Sequence, residues 1–133
     1  MAILYAAYEV AGGLPLVKTL VNAPPHSVTL EASTCFSTGA AFTSISPRFA
    51  KALGAEPHLS TRFVPTADGV SKVQSADIDI YLEAQTQPIR KEVVIAEGQT
   101  VDLIIGMDVI PMGDLALMYK DGRHRLIFYV PRI

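Results

Sequence analysis

The sequence predicts an all-β fold, a small closed barrel or sandwich carrying one or two short helices. Three observations lead there. Apolar segments of strand length recur between turn signals, with side chains alternating in polarity. Asp-Gly pairs at Asp68-Gly69 and Asp121-Gly122 lie between such segments, as hairpin turns do. Helical spacing is convincing in a single stretch, residues 46–54.

In chain order, residues 2–11 are rich in aromatic and aliphatic side chains and run into Gly12-Gly13. From that turn residues 14–21 are expected to return as the second arm of a hairpin. Pro24-Pro25 then interrupts the pairing. Between Ser27 and Phe36, Val28, Leu30 and Ala32 alternate with Thr29, Glu31 and Ser33, one set for each face of a strand. Ser46 is placed to cap a helix and Pro47 suits its first turn. Phe49, Ala50 and Leu53 form its apolar stripe, and Gly54 ends it. Two arms, 61–65 and 70–82, flank Ala67-Asp68-Gly69; in the second, Ile78, Ile80 and Leu82 alternate with Asp77, Asp79 and Tyr81. Further strands are expected at 88–96 and 101–105, and a last hairpin joins 115–120 to 123–130. Its closing run, Leu126-Ile127-Phe128-Tyr129-Val130, is too apolar for an exposed edge. Two hydrophobic strands each enter a turn containing glycine: Cys35-Phe36 before Gly39, and Leu103-Ile104-Ile105 before Gly106.

The 133 residues suit one domain over 1–133, able to bury a core without cross-links. Half of them are hydrophobic and only 18% are charged, which argues against disorder. A net charge of −2 and a basic cluster no longer than Arg123-His124-Arg125 argue against nucleic acid or an anionic membrane as partner. No apolar run has the length of a membrane span. The apolar start lacks the basic region of a signal peptide and soon reaches Glu9, so it reads as a strand. A single cysteine, Cys35, excludes an intramolecular disulfide. The three histidines are too far apart for zinc-ligand spacing, and no metal or cofactor is expected. The default setting is cytoplasmic.

Four segments, in order and at suitable separations, carry a resemblance that covers about the whole chain. They are Phe36-Ser37-Thr38-Gly39-Ala40-Ala41 with the following 42–45, Val64-Pro65-Thr66-Ala67-Asp68-Gly69, Leu103-Ile104-Ile105-Gly106 with the following 107–110, and Met112-Gly113-Asp114-Leu115 with the last hairpin. Together they resemble the retropepsin-like aspartic proteases, in particular the bacterial members. The resemblance implies a closed barrel of the acid-protease type and a homodimer, because the chain has one catalytic loop where the chemistry needs two. It implies hydrolysis of an extended peptide or protein by water activated between two aspartates. It places Ser37 in the position of the catalytic aspartate, Thr38 as the residue that ties the loop to its symmetry mate, and Gly39 as the residue that permits the tight turn. It implies a substrate-binding role for Ala40. Thr66, Ala67, Asp68 and Gly69 would form the tip of a mobile flap closing over the peptide.

The departure at Ser37 bears on activity. A serine hydroxyl is no general base at neutral pH, so the chain as written is expected to be inactive. Two readings stay open: an inactivated version of a working protease, or a natural pseudoprotease that binds peptides or proteins as a scaffold. Serine-nucleophile chemistry lacks its usual sequence context, since no Gly-x-Ser-x-Gly elbow is present. Cys35 reads as a small core residue. Asp68 serves equally as turn former or flap contact. Asp108 reads as a helix-start residue held by first-turn amides, Asp102 as exposed on an alternating strand, and His26 as a loop residue.

Overall fold

The computed structural model describes residues 2–9, 16–26, 28–59, 62–67, 69–82, 87–120 and 123–130. Among these residues ten strands form in chain order: β1 (Ala2–Glu9), β2 (Val17–Asn22), β3 (Thr29–Phe36), β4 (Ser44–Ile45), β5 (Arg62–Thr66), β6 (Gly69–Tyr81), β7 (Ile89–Ile95), β8 (Leu103–Ile105), β9 (Asp114–Lys120) and β10 (Arg123–Val130). One α-helix, α1 (Pro47–Leu53), follows β4, and a 3-10 turn covers Ile110–Met112. The larger sheet runs β2-β3-β8-β4-β7-β6-β5, and a further pairing of β2 with β6 closes its first six strands into a ring. β5 is left outside that ring, bonded to β6. The all-β closed barrel expected from the sequence is therefore the fold observed.

Alternation builds the core. Val17, Thr19 and Val21 of β2, Ala32 and Thr34 of β3, and Ile78 and Ile80 of β6 all point inward and are nearly or fully buried. They meet Ile45, Ile89, Val93, Leu103 and Ile105 in one cluster. Helix α1 covers one end with Phe49, Ala50 and Leu53, capped by Ser46 Oγ accepting from the Phe49 amide at 3.0 Å and closed by Gly54 at φ 72°. A second sheet, β1-β10-β9, joins through Leu126, Phe128 and Val130, and the rings of Phe36 and Phe128 lie 5.1 Å apart, tilted at 57°. β10 is the central strand of that sheet, in keeping with its apolar run.

Three expectations fail. β1 does not fold back on β2: it pairs with β10, from Ala2↔Val130 to Glu9↔Arg123, while Gly12-Gly13 lies outside the described residues. β2 has β3 along one side, and β6 takes the other side of its second half, Leu20–Asn22, in closing the barrel. Val28 lies before β3 and is half exposed, so only Leu30 and Ala32 keep the inward face assigned to it. Asp79 is 4% exposed although its strand face was expected to be polar. Arg90 on β7 holds both of its carboxylate oxygens, at 2.8 and 3.0 Å, which offsets the cost of burying that charge.

Candidate functional site

The two glycine-containing turns come together because their strands are parallel neighbours. β3 and β8 pair Thr34↔Leu103, Cys35↔Ile104 and Phe36↔Ile105, so both chains leave the sheet at the same end. The Ser37 amide donates to the Ile105 carbonyl at 2.9 Å, and the Met107 amide to the Ala40 carbonyl at 2.8 Å. Within the first turn the Ala40 amide reaches the Ser37 carbonyl at 3.3 Å. Ser37 is half-buried, and Thr38 and Gly39 are exposed at the crest of the loop.

Beneath the loop lies a network that sequence reasoning missed. Thr43 is fully buried. Its hydroxyl donates to Asp108 Oδ1 at 2.6 Å and accepts from the Gly106 amide at 3.1 Å, and its own amide donates to the same carboxylate oxygen at 2.9 Å. Lys91 Nζ stands 3.8 Å from the other oxygen. Asp108 thus binds across the chain to Thr43 and does not serve the helix start expected for it: the 3-10 turn that follows has no side-chain cap. Asp102 likewise accepts from the Ser33 amide at 3.0 Å and is only partly exposed. Replacing Thr43 by valine leaves the Gly106 N–H without its partner and is expected to cost about 2–3 kcal/mol in urea unfolding. Thr43→Ser, which keeps the hydroxyl, is expected to lose less than about half of that.

Above the loop projects the β5–β6 hairpin, with Thr66↔Gly69 its last pair, Gly69 at φ 119° and Ala67 at its tip. Asp68 lies outside the described residues. A cleft of about 420 Å³ separates hairpin from loop, lined by Gly39, Ala40, Ala41, Phe42, Ser44, Val64, Pro65, Ala67 and Val94. Of the residues singled out in the sequence, the cleft brings together Gly39, Ala40 and Ala67. Ser37 and Thr38 adjoin it through the loop, and Thr66 and Gly69 through the hairpin.

Gly39 does not carry the role expected of it within one chain. A Cβ there would meet nothing nearer than Ser37 Oγ at 3.8 Å, and its backbone is not left-handed. Of the two turn glycines, Gly106 is the one sterics require: a Cβ there would stand 2.7 Å from the Ala40 carbonyl oxygen. Cys35 is buried behind the loop, and burial pushes its thiol pKa up, in keeping with a core residue. His26 is exposed, with its ring close to Gly54, and His58 sits beside Asp77; among the described residues neither bonds to Ser37.

A closed ring with parallel glycine turns at one end and a hairpin over them is a defined architecture, and its relatives are recognisable. The family model described as gag-polyprotein putative aspartyl protease matches residues 31–111, which include both turns and the hairpin. The chain belongs to this family of retropepsin-like aspartic proteases. EIAV protease complexed with the inhibitor HBY-793 is similar in structure, with TM-score 0.55 and 16% identity over 78% of this chain and 91% of that one. A retropepsin-like aspartic protease from Rickettsia conorii has TM-score 0.56 and 14% identity over 95% of this chain and 92% of that one. At such identities these likenesses speak for the fold. No curated protein sequence matches significantly. No helix among the described residues is long and apolar enough to cross a membrane.

Proposed function

We propose that this chain is an aspartic endopeptidase of the retropepsin type in which Ser37 replaces the catalytic acid, leaving it without peptide hydrolysis as written. The observation that carries the reading is the meeting of the Ser37 loop with the Gly106 turn beneath an overhanging hairpin, in a chain of this family. An extended peptide fits the cleft between loop and hairpin, where backbone groups of both can pair with it as strands do. One chain contributes one loop, so the complete site is assigned to a homodimer with two copies of residue 37 on its axis.

In such a site two close carboxyl groups share one proton, one side taking a proton from water while the other gives one to the scissile carbonyl. Two serine hydroxyls can hydrogen-bond to the peptide but have no basic form near neutral pH. The nearby acids do not substitute, because Asp108 is committed to Thr43 and Asp102 to the Ser33 amide. The packed surroundings of the loop favour a disabled protease over a long-abandoned site: its amide and carbonyl contacts to Ile105 and Met107 are in place. The test is Ser37→Asp, assayed on peptides with and without a transition-state inhibitor of aspartic proteases. Inhibitor-sensitive cleavage in the aspartate form alone supports the reading. A folded, inactive Ser37→Asp dimer contradicts it and favours a peptide-binding scaffold.

A further inference from the structure

The hairpin over the cleft has a weak attachment through its backbone. β6 is 13 residues long. Its beginning, Gly69–Val73, pairs with β5, and from Gln74 onward it pairs with β7. A two-stranded ribbon of this kind is marginal by itself. At its root a side-chain tie crosses from β5 over β6 to β7. Arg62 Nε donates to Glu92 Oε2 at 2.6 Å, and Arg62 Nη2 donates to Glu92 Oε1, a bidentate pair. Ser75 of β6, itself 1% exposed, donates to Glu92 Oε2 at 2.6 Å.

We propose that Glu92 is a positioning residue that sets the pose of the hairpin over the cleft. The inference rests on the reading above only in taking β5–β6 as a flap over bound peptide. Exposed ion pairs are usually worth little, but bidentate geometry and a network are the circumstances in which they count. Both hold here, and the pair joins β5 to β7 across the intervening β6. The same residues also face the substrate side. Arg62, Ser75 and Glu92 line a pocket of about 310 Å³ that shares Phe42, Val64 and Val94 with the main cleft. A side chain entering that pocket meets the tie directly, which couples occupancy of the cleft to the pose of the hairpin.

The groups facing Glu92 set its response to pH. Arg62 comes from β5, Ser75 and Asp77 from β6, and His58 from the segment after α1; Lys91 lines the same pocket. Asp77 stands directly opposite Glu92 in the ladder, an unfavourable pairing of like charges. The buried Nε2 of His58 lies between them, 3.2 Å from Asp77 Oδ1 and 3.9 Å from Glu92 Oε2, without hydrogen-bond alignment to either. The Ser75 hydroxyl, with Arg62 behind it and burial opposing, holds the Glu92 carboxyl below the usual glutamate range. A depressed folded-state pKa means that the tie is fully present above the ordinary carboxylate range and is lost as pH falls through the lowered value.

Hydrogen exchange on the chain as it stands, with Ser37 in place, tests this without requiring catalysis. Glu92→Gln keeps the shape and the Ser75 bond while removing the charge. It is expected to lower protection of amides in residues 62–73 about fivefold at neutral pH, with β3 and β8 unchanged. The exchanged pair Arg62→Glu with Glu92→Arg is expected to recover most of that protection, and the difference between Glu92→Gln and the parent is expected to vanish on acidification. Unchanged protection in Glu92→Gln, or a parallel loss throughout the barrel that the exchanged pair does not recover, overturns the proposal. In Ser37→Asp enzyme, Glu92→Gln is further expected to raise KM with kcat little altered. If Ser37→Asp proves inactive, the exchange result still decides the role of Glu92 independently.

Discussion

Peptide cleavage is expected to appear when Ser37 is replaced by aspartate, at a rate about 10²–10⁴ above that of the parent chain, the contribution typical of positioned acid–base catalysis. The shape of its pH dependence is as informative as its size. Two aspartates on a dimer axis cannot both ionise cheaply, so they titrate as a pair with one low and one raised apparent pKa. Activity is expected to rise as the first proton leaves and fall as the second does, giving a bell on the acidic side of neutrality. Ser37→Asn, which matches aspartate in shape but carries no base, is expected to remain inactive. A pH–rate profile with a single limb, or equal activity in the parent, contradicts the assignment of residue 37.

Gly106→Ala is expected to destabilise the chain by about 3 kcal/mol or more, a large share of the roughly 5–15 kcal/mol that holds a domain together. The new Cβ would stand 2.7 Å from the Ala40 oxygen and 2.8 and 2.9 Å from the Phe42 carbonyl carbon and oxygen. These are backbone atoms, and moving them displaces the 37–42 loop from its bonds to Ile105 and Met107. Gly39→Ala is the control: a Cβ there meets only ordinary contact, and stability in urea is expected to change by less than about 0.5 kcal/mol. A comparable loss at both positions would contradict the reading of Gly106 as the packed glycine of the site.

What was legible in the sequence was local. The α1 cap, stripe and terminator all depend on residues within one turn, and each was found where its chemistry placed it. The β5–β6 and β9–β10 arms were equally readable, because a turn signal sits between two alternating runs. The Gly12-Gly13 signal misled because turn chemistry says nothing of competition for edges: β2 pairs with β3 and, through Leu20–Asn22, with the distant β6, while β1 pairs with β10 at the far end of the chain. The site divided in the same way. Ser37, Gly39 and Gly106 were visible as motifs. Thr43 and Asp108, 65 residues apart, and Arg62 and Glu92, 30 apart, carried no periodic signal. The alternation of Asp79 with Ile78 and Ile80 gave no sign of its burial, because Arg90, which neutralises it, lies on the neighbouring strand.

The central claim, that two copies of residue 37 make one site, is tested most directly by titrating Ser37→Asp protein with a tight-binding transition-state inhibitor. Activity is expected to reach zero at one inhibitor per two chains, and specific activity to fall on dilution through the dimer dissociation range. Saturation at one inhibitor per chain, with activity unaffected by dilution and a monomer in sedimentation, would contradict the account.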